Sequence, residues 1–259
     1  MLHPFRDANE IIQLLKAATE GEPIKHGEIE RAVERSKATA WQPGQSPCPT
    51  IPAWPKVSAE QRQAIVRDGF GLVDLWENSP VRLEDNQSHT EEIIDVLFPR
   101  NTLLCAGRSS QDFDTRSRME WRGELAALQL IVPNPMTART GRTQEGKESA
   151  HALSITGPRR FLVIEQDTGT IDEQAAALFH LAHIGPMAVA VHSGSKSIHG
   201  WFYCLGLAED KLQSFMRYAV SLGADPATWT RSQFVRMPDG TRDNGKQQTV
   251  YFFHPETIK

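Results

Sequence analysis

The sequence has few cysteines and no long apolar run, and these absences exclude several classes of protein. Its three cysteines, Cys48, Cys105 and Cys204, lie far apart, and none belongs to a C-x-x-C pair. A zinc knuckle is therefore not expected, and the odd number argues against a disulfide framework. We expect all three thiols to be reduced and structural. No apolar run approaches the ~20 residues that span a bilayer, so we expect no membrane partner.

The chain also lacks the positive charge that marks many nucleic-acid-binding proteins. Its formal net charge is −4 at pH 7 over 259 residues, and its hydrophobic content of 39% is that of an ordinary globular protein. Residues 1–7 contain no apolar core of a signal peptide, which makes the cytoplasm the expected location. The basic residues cluster locally instead, in a polar loop with Arg139, Arg142 and Lys147 and again between residues 231 and 246.

The first hundred residues predict a helical, proline-rich accessory region. Four segments carry capping signals or helical spacing of apolar residues, and they begin at Asp7, Gly27, Ser58 and Thr90. Five prolines between Trp41 and Pro55 predict an extended connector, because proline removes a backbone donor and disfavours helix at the residue before it. We therefore place a domain boundary near residue 100, with the accessory region at 1–100 and a second domain at 101–259.

From Thr102 onward the pattern predicts strands. A continuous apolar run from Leu125 to Val132 predicts a buried strand, and a second strand is predicted from Ala150 to Ile155. The following elements are expected as strand 160–166, helix 172–183, strand 187–192, strand 198–205, helix 208–221, strand 233–237 and a last strand 249–253. The order β-α-β-β-α-β is the split βαβ arrangement of ferredoxin-like and RNA-recognition-like folds. The expected fold class is α+β, with an additional α/β module before this core.

Alternation along the strands predicts one polar surface. Residues two apart on a strand point to the same face, so Glu165 and Asp167 share a face while Leu162 and Ile164 share the other. If both helices cover the apolar face, His199 on the third strand lies on the same surface as the two acids. Paired carboxylates on one face are suited to a divalent metal ion.

The loop Val191–His199, with the sequence V-H-S-G-S-K-S-I-H, lies between two predicted strands. Its backbone N–H groups, hydroxyl groups and single positive charge are suited to a polyphosphate. The candidate phosphate contacts are Ser193, Ser195, Lys196, Ser197 and His199. A tight hairpin turn is the alternative interpretation, and it explains the glycine of this loop without any ligand.

Taken in order, these residues resemble the three motifs of the archaeo-eukaryotic-type primase superfamily. The motifs are the strand-end acids Glu165 and Asp167, the Ser-x-His segment ending at His199, and a lone Asp225. The similarity is to primase-polymerases of plasmids, phages and other mobile elements, in which segments like Arg236–Gly240 and Gly245–Gln248 are common. It covers about Leu125 to Phe253. One departure is Glu165, since the first motif often begins with Asp.

The resemblance implies a DNA primase and DNA polymerase built on an RNA-recognition-like sheet. Such an enzyme catalyses template-directed nucleotidyl transfer on single-stranded DNA, with nucleoside or deoxynucleoside triphosphates as substrates and a helicase domain or subunit as a further partner. The implied ligands of two Mg²⁺ or Mn²⁺ ions are Glu165, Asp167 and Asp225. His199 would contact the triphosphate and Arg236 a nucleotide or template phosphate. The loop with Arg139, Arg142 and Lys147 would contact the template backbone.

Two other functions fit the same residues. One is a non-catalytic replication-initiator module that binds nucleic acid or nucleotide through the same sheet. The other is a metal-dependent nuclease or relaxase, although only three tyrosines are present and none lies beside a histidine pair. Asp225 also has a structural interpretation, because an Asp before Pro226 is typical of a helix N-cap. Asp239, in a turn-like P-D-G, is the rival third acid.

Overall fold

The computed structural model of the chain describes residues 7–21, 24, 27–37, 53–67, 69–84 and 87–258. Cys48 and most of the predicted connector between Trp41 and Pro55 lie outside these residues. The contacts divide the chain into two compact units, Met1–Ala53 and Trp54–Lys259. Every residue of the candidate site belongs to the second unit.

The first unit contains the helices α1 (Ala8–Ala18) and α2 (Glu28–Lys37). The Asp7 carboxylate accepts a hydrogen bond of 2.9 Å from the backbone N–H of Glu10, which satisfies one of the free donors of the first turn. Both helices predicted in this part of the sequence are thus confirmed.

The described residues of the second unit form five further α-helices. They are α3 (Ala59–Val66), α4 (Leu72–Glu77), α5 (Thr90–Leu97), α6 (Ile171–Ala182) and α7 (Glu209–Ser221). The helices predicted at Ser58 and Thr90 are confirmed, and Thr170 opens α6 with a capping box. Three of the five helices precede residue 100 and belong to the same compact unit as the strands. The domain boundary placed near residue 100 stays a prediction. Within the described ranges, no helix is both long and apolar enough to cross a membrane.

The described strands form antiparallel sheets, and the molecule is a mixed α+β protein. The strands are β1 (Leu103–Gly107), β2 (Phe113–Ser117), β3 (Leu130–Ile131), β4 (Gly141–Arg142), β5 (Glu148–Ser149), β6 (Phe161–Gln166), β7 (Met187–His192), β8 (Ile198–Tyr203), β9 (Val235–Arg236) and β10 (Val250–Phe253). One sheet has the order β2-β1-β3-β9, a second has the order β10-β7-β8-β6, and β4 and β5 form a hairpin. The predicted order of strand, helix, two strands and helix is found from β6 to α7.

The fourth strand of the expected core lies elsewhere. The prediction placed residues 233–237 in the same sheet as β6, but β9 pairs with β3 of the other sheet, and β10 joins β7. Among the described residues after α7, strand-like pairing with the edge of β6 is limited to the isolated bridge between Gln166 and Ala224. Pro226 follows at once in a short 3₁₀ turn, and it has no N–H to continue the ladder.

Two predicted strands each contain a 3₁₀ turn. In the run from Leu125 to Val132, residues Leu125–Ala127 form a 3₁₀ turn and only β3 pairs in a sheet. The expected strand Ala150–Ile155 contains the turn Leu153–Ile155 instead. The prediction was wrong because a continuous apolar run carries no strand-specific period. In the first run, Leu125, Leu128 and Ile131 reach the core at a spacing of three residues.

The sheet β10-β7-β8-β6 is covered on both faces. Leu162 and Ile164 pack with residues of α6 and α7 on one face, as predicted. On the other face, Val163 and Trp201 belong to a core shared with α5 and the first sheet. Trp201 is fully buried, with its ring 6.4 Å from that of Phe98. On this second face Glu165, near the end of β6, is partly exposed.

Candidate functional site

Glu165 and His199 face each other across β6 and β8, where they are direct partners in the strand register. The Nε2 atom of His199 lies 3.5 Å from Oε1 of Glu165 and 3.3 Å from the hydroxyl of Ser197. The alternation of the two strands predicts this common surface, and the structure confirms it. The first acid motif and the Ser-x-His motif therefore form one cluster.

Burial keeps the imidazole of His199 neutral. Only 2% of the residue is exposed, and burial lowers the pKa of His199 to about 3, with Arg236 and His192 acting in the same direction. The contact with Glu165 is accordingly not an ion pair at neutral pH. The Nδ1 atom is buried without a hydrogen-bond partner among the described residues. In this conformation the ring contacts Glu165 and Ser197, and the contact of His199 with a phosphate stays a prediction.

Two carboxylates, those of Asp167 and Asp225, act on Glu165 at this end of the sheet. Burial raises the pKa of Glu165, and the negative charges of Asp225 and Asp167 raise it further. The Ser197 hydroxyl and Arg236 act in the opposite direction. The other two acids named from the sequence are therefore each close enough to Glu165 to interact with it electrostatically.

Asp167 and Lys196 form an ion pair between two loops. The Lys196 ammonium donates a hydrogen bond of 3.0 Å to Oδ2 of Asp167. The side chain of Lys196 is 74% exposed and that of Asp167 is 32% exposed. An ion pair this exposed contributes little to stability, so Lys196 can exchange its partner at low cost.

Asp225 performs the capping role that its sequence context suggests. Its Oδ1 atom accepts a hydrogen bond of 2.9 Å from the N–H of Ala227, at the start of the 3₁₀ turn Pro226–Trp229. The backbone N–H of Asp225 donates to the carbonyl of Glu165 at 3.0 Å. This backbone contact places the third acid beside the first, and its role toward a metal stays a prediction.

The loop between β7 and β8, residues 193–197, is called the serine loop below. It is a hairpin turn closed by hydrogen bonds between Ser193 and Ser197. The N–H of Ser193 donates to the carbonyl of Ser197 at 2.8 Å, and the N–H of Ser197 donates to the Ser193 hydroxyl at 3.1 Å. Both residues are buried, whereas Ser195 and Lys196 are exposed. The hairpin interpretation is thus present in the structure, and it leaves two side chains of the predicted cradle facing solvent.

Arg236 reaches this cluster from the other sheet. Its guanidinium donates to Oε1 of Gln129 at 3.3 Å and lies near both Glu165 and His199. Burial lowers the pKa of Arg236, as does Arg242, while Glu165 raises it. The predicted residue is present although its strand belongs to a different sheet from the one expected.

Arg242 is a neighbour of the serine loop that the sequence did not single out. Its Nη1 donates to the carbonyl of Ser193 at 3.2 Å, and a Cβ built on Gly194 would lie 2.8 Å from the carbonyl oxygen of Gln247. The segment from residue 241 to 247 therefore packs directly on the hairpin. The cluster of basic residues between 231 and 246 predicts a positively charged segment here. It does not indicate which arginine contacts the serine loop.

The remaining predicted basic residues lie on or beside the β4–β5 hairpin. Arg139 is 2.7 Å from Glu120, and Lys147 is 3.5 Å from Glu145. Arg142 is exposed on β4. Two of the three therefore already have carboxylate partners, and a template contact for this group stays a prediction.

The acid cluster suits a divalent cation by its donor chemistry. Carboxylate oxygens are the ligands that Mg²⁺ and Mn²⁺ prefer, and Glu165, Asp167 and Asp225 supply them. Among the described residues, however, no group of three or more His, Cys, Asp or Glu side chains is arranged to hold a metal ion. Lys196 bonds Oδ2 of Asp167, which leaves Oδ1 of the same carboxylate as the oxygen without this bond.

Asp239, the rival acid, has a structural environment. Its carboxylate accepts hydrogen bonds of 2.6 Å from the N–H of His89 and from the side-chain amide of Gln247. The residue is buried and has a φ of 57°, a left-handed conformation that Asp tolerates in turns. These contacts account for Asp239 without a ligand.

A scan against protein-family models finds no match to this chain, and neither does a search of curated proteins or of solved structures. The function is therefore inferred from the chain's own residues.

Proposed function

We propose that this chain is a DNA primase and DNA polymerase, a nucleotidyltransferase that makes and extends primers on single-stranded DNA during replication of a mobile element. The observation that carries the proposal is the pairing of Glu165 with His199 across β6 and β8, with Asp225 bonded through its backbone to Glu165. The order of elements from β6 to α7, with both helices on one face, supports an RNA-recognition-like core. The first sheet would be the additional module.

The exposed end of the serine loop would receive the triphosphate of the incoming nucleotide. Lys196 would exchange Asp167 for a phosphate oxygen. This exchange costs little free energy because the ion pair that it breaks is exposed. Ser195 would add a hydroxyl donor beside it. Arg236 would contribute a second positive charge from β9. Each contact neutralises charge that grows on the leaving pyrophosphate.

Glu165, Asp167 and Asp225 would hold two Mg²⁺ or Mn²⁺ ions, which when bound activate the attacking 3′-hydroxyl and stabilise the leaving oxygen. Burial raises the pKa of Glu165, and the negative charges of Asp225 and Asp167 raise it further, so a bound cation would favour its ionised form. The neutral imidazole of His199 and the hydroxyl of Ser197 both contact the carboxylate of Glu165, and they would hold it in one orientation.

A synthesis assay tests the proposal. The chain is incubated with single-stranded template, labelled nucleotides and Mg²⁺ or Mn²⁺, with and without a primer. Asp167→Asn should lower product formation by at least about 100-fold, because it removes a charge that faces the reacting groups. Asp210→Asn is the matched control, since Asp210 is an exposed acid in the first turn of α7. Equal activity of the two variants would contradict the proposed role of Asp167.

A non-catalytic module that binds nucleic acid or nucleotide is the second candidate. It is favoured by the ion pair of Lys196 with Asp167 and by the capping bond of Asp225, which engage two of the three acids. In that case the wild-type chain should bind single-stranded DNA but incorporate no nucleotide with either metal. Binding should then be unchanged in Asp167→Asn. A labelled template cut to fragments would instead indicate a nuclease.

A further inference from the structure

Arg62, on helix α3, is joined to the turn that follows the first acid motif. Its Nη1 atom donates to the hydroxyl of Thr168 at 2.6 Å, and its Nη2 atom donates to the carbonyl of the same residue. Nη2 also lies 3.8 Å from the carboxylate of Glu173. The side chain is only 14% exposed. Two nitrogens of the guanidinium therefore donate to the same residue, Thr168. Because these donors form a rigid planar fork, Arg62 restrains the conformation of this turn.

The same guanidinium fits between two glycine turns. A Cβ built on Gly169 would lie 2.5 Å from its Nη2, and a Cβ built on Gly223 would lie 2.6 Å from its Nη1. Both glycines have positive φ, +79° and +102°, which side chains rarely adopt. Gly169 comes two residues after Asp167, and Gly223 comes two residues before Asp225. Arg62 therefore contacts both turns that carry these acids.

The segment around Arg62 is anchored to the same region of the molecule. The N–H of Ser58 donates to the carbonyl of Ser221 at 2.8 Å, at the end of α7. The rings of Trp54 and Trp229 pack edge to face with their centres 6.0 Å apart, just beyond Asp225. These contacts hold α3 on the side of the site where the chain leaves α7.

We propose that Arg62 is a positioning residue that holds the turns of Asp167 and Asp225 at a fixed separation. The inference rests on the proposed nucleotidyl transfer, and it gives this stretch of the accessory region a function in the site. Without Arg62, the bridge between Gln166 and Ala224 would remain, but the turns at Thr168 and Gly223 would lose the side chain that packs between them. Partners that orient metal ligands in this way typically change metal affinity or activity by about 10–100-fold.

The test compares Arg62→Met and Arg62→Lys with Arg67→Met in the full chain. Arg67 is an exposed arginine at the C-cap of the same helix, which makes it a matched control. Three quantities are measured: amide hydrogen exchange over residues 166–170 and 222–226, Mn²⁺ affinity by electron paramagnetic resonance, and kcat and KM for the nucleotide. Arg62→Met should speed exchange in both turns, weaken Mn²⁺ binding about 10-fold or more, and lower kcat more than KM rises. Arg62→Lys should restore part of each loss.

Exchange decides the proposal independently of activity. Unchanged exchange in either turn of Arg62→Met, with unchanged Mn²⁺ affinity, overturns it. A uniform rise in exchange over the whole second unit also overturns it, because Arg62 would then serve stability alone. If the wild-type chain makes no product, the proposed reaction fails, whereas faster exchange in both turns and weaker Mn²⁺ binding would still support the positioning role.

Discussion

The Nε2 atom of His199 lies 3.5 Å from the carboxylate of Glu165, and burial shifts the pKa of the two side chains in opposite directions. The pKa of the histidine falls to about 3, while that of the glutamate rises above its usual value. Both shifts favour the uncharged forms, because a buried charge loses its hydration. The pair is thus a neutral imidazole beside a glutamate whose charged form is disfavoured by burial.

Stability should depend on pH through His199. Its pKa is about 6.5 when unfolded and about 3 when folded, so its contribution is complete above pH 6.5 and is lost as the pH falls toward 3. Between pH 6.5 and 4.5 the free energy of unfolding of wild type, relative to His199→Gln, should fall by roughly 1.4 kcal/mol per pH unit. Glu165, with a raised pKa, acts in the opposite sense in both proteins. Urea unfolding at several pH values measures the difference, and a constant difference would contradict the expectation.

The thiols of Cys105 and Cys204 should be protected from alkylation. Both residues are buried, and burial raises the pKa of each thiol to about 12, which leaves almost no reactive thiolate at pH 8. Peptide mass spectrometry after iodoacetamide treatment should find both unmodified in the native protein and modified in urea. Rapid native modification of either would show that its surroundings are more open than described. In the structure Cys105 and Cys204 are free and buried, in agreement with the reduced, structural thiols expected from the sequence.

Two arginines that share one carboxylate should differ strongly in their effect on stability. Arg118, with a side chain 2% exposed, lies 2.9 Å from Asp95 and 2.6 Å from Glu91. Arg122, 59% exposed, lies 3.1 Å from the same Asp95. Arg118→Met should reduce the free energy of unfolding by about 1.5–3 kcal/mol, because the buried guanidinium donates to the Glu91 carbonyl and pairs with Glu91 and Asp95, and all of these bonds are lost. Arg122→Met should cost less than about 1 kcal/mol. Similar losses in urea unfolding would refute this distinction.

Gly194→Ala should disturb the packing of the C-terminal segment on the serine loop. Its φ is +71°, and the added Cβ would lie 2.8 Å from the backbone oxygen of Gln247. Gly146 is the matched control, because its φ is +78° and its Cβ would meet nothing within 4 Å. Gly146→Ala should cost about 1–2 kcal/mol for backbone strain alone. Gly194→Ala should cost at least about 1 kcal/mol more. Thermal unfolding measures both, and equal costs would mean that the segment moves aside freely.

Local patterns predicted a large part of the fold. Capping residues such as Asp7 and Ser58 marked helix starts correctly, because the cap bonds groups only three residues away. Alternation on β6 and β8 predicted that Glu165 and His199 share a surface. The strand predicted from Leu125 to Val132 was wrong over most of its length, because a continuous apolar run has no periodicity that distinguishes a strand from a helix.

The sequence by itself determined which elements form from β6 to α7 and which acids lie at their ends, because these depend on interactions within a few residues. Only the tertiary structure decided that β9, a strand of the other sheet, places Arg236 near Glu165. It also decided that Lys196 forms an ion pair with Asp167. It alone placed Arg62 between the turns of Gly169 and Gly223, more than a hundred residues away. Such contacts depend on how distant elements pack around the shared core. No local period or motif encodes that packing.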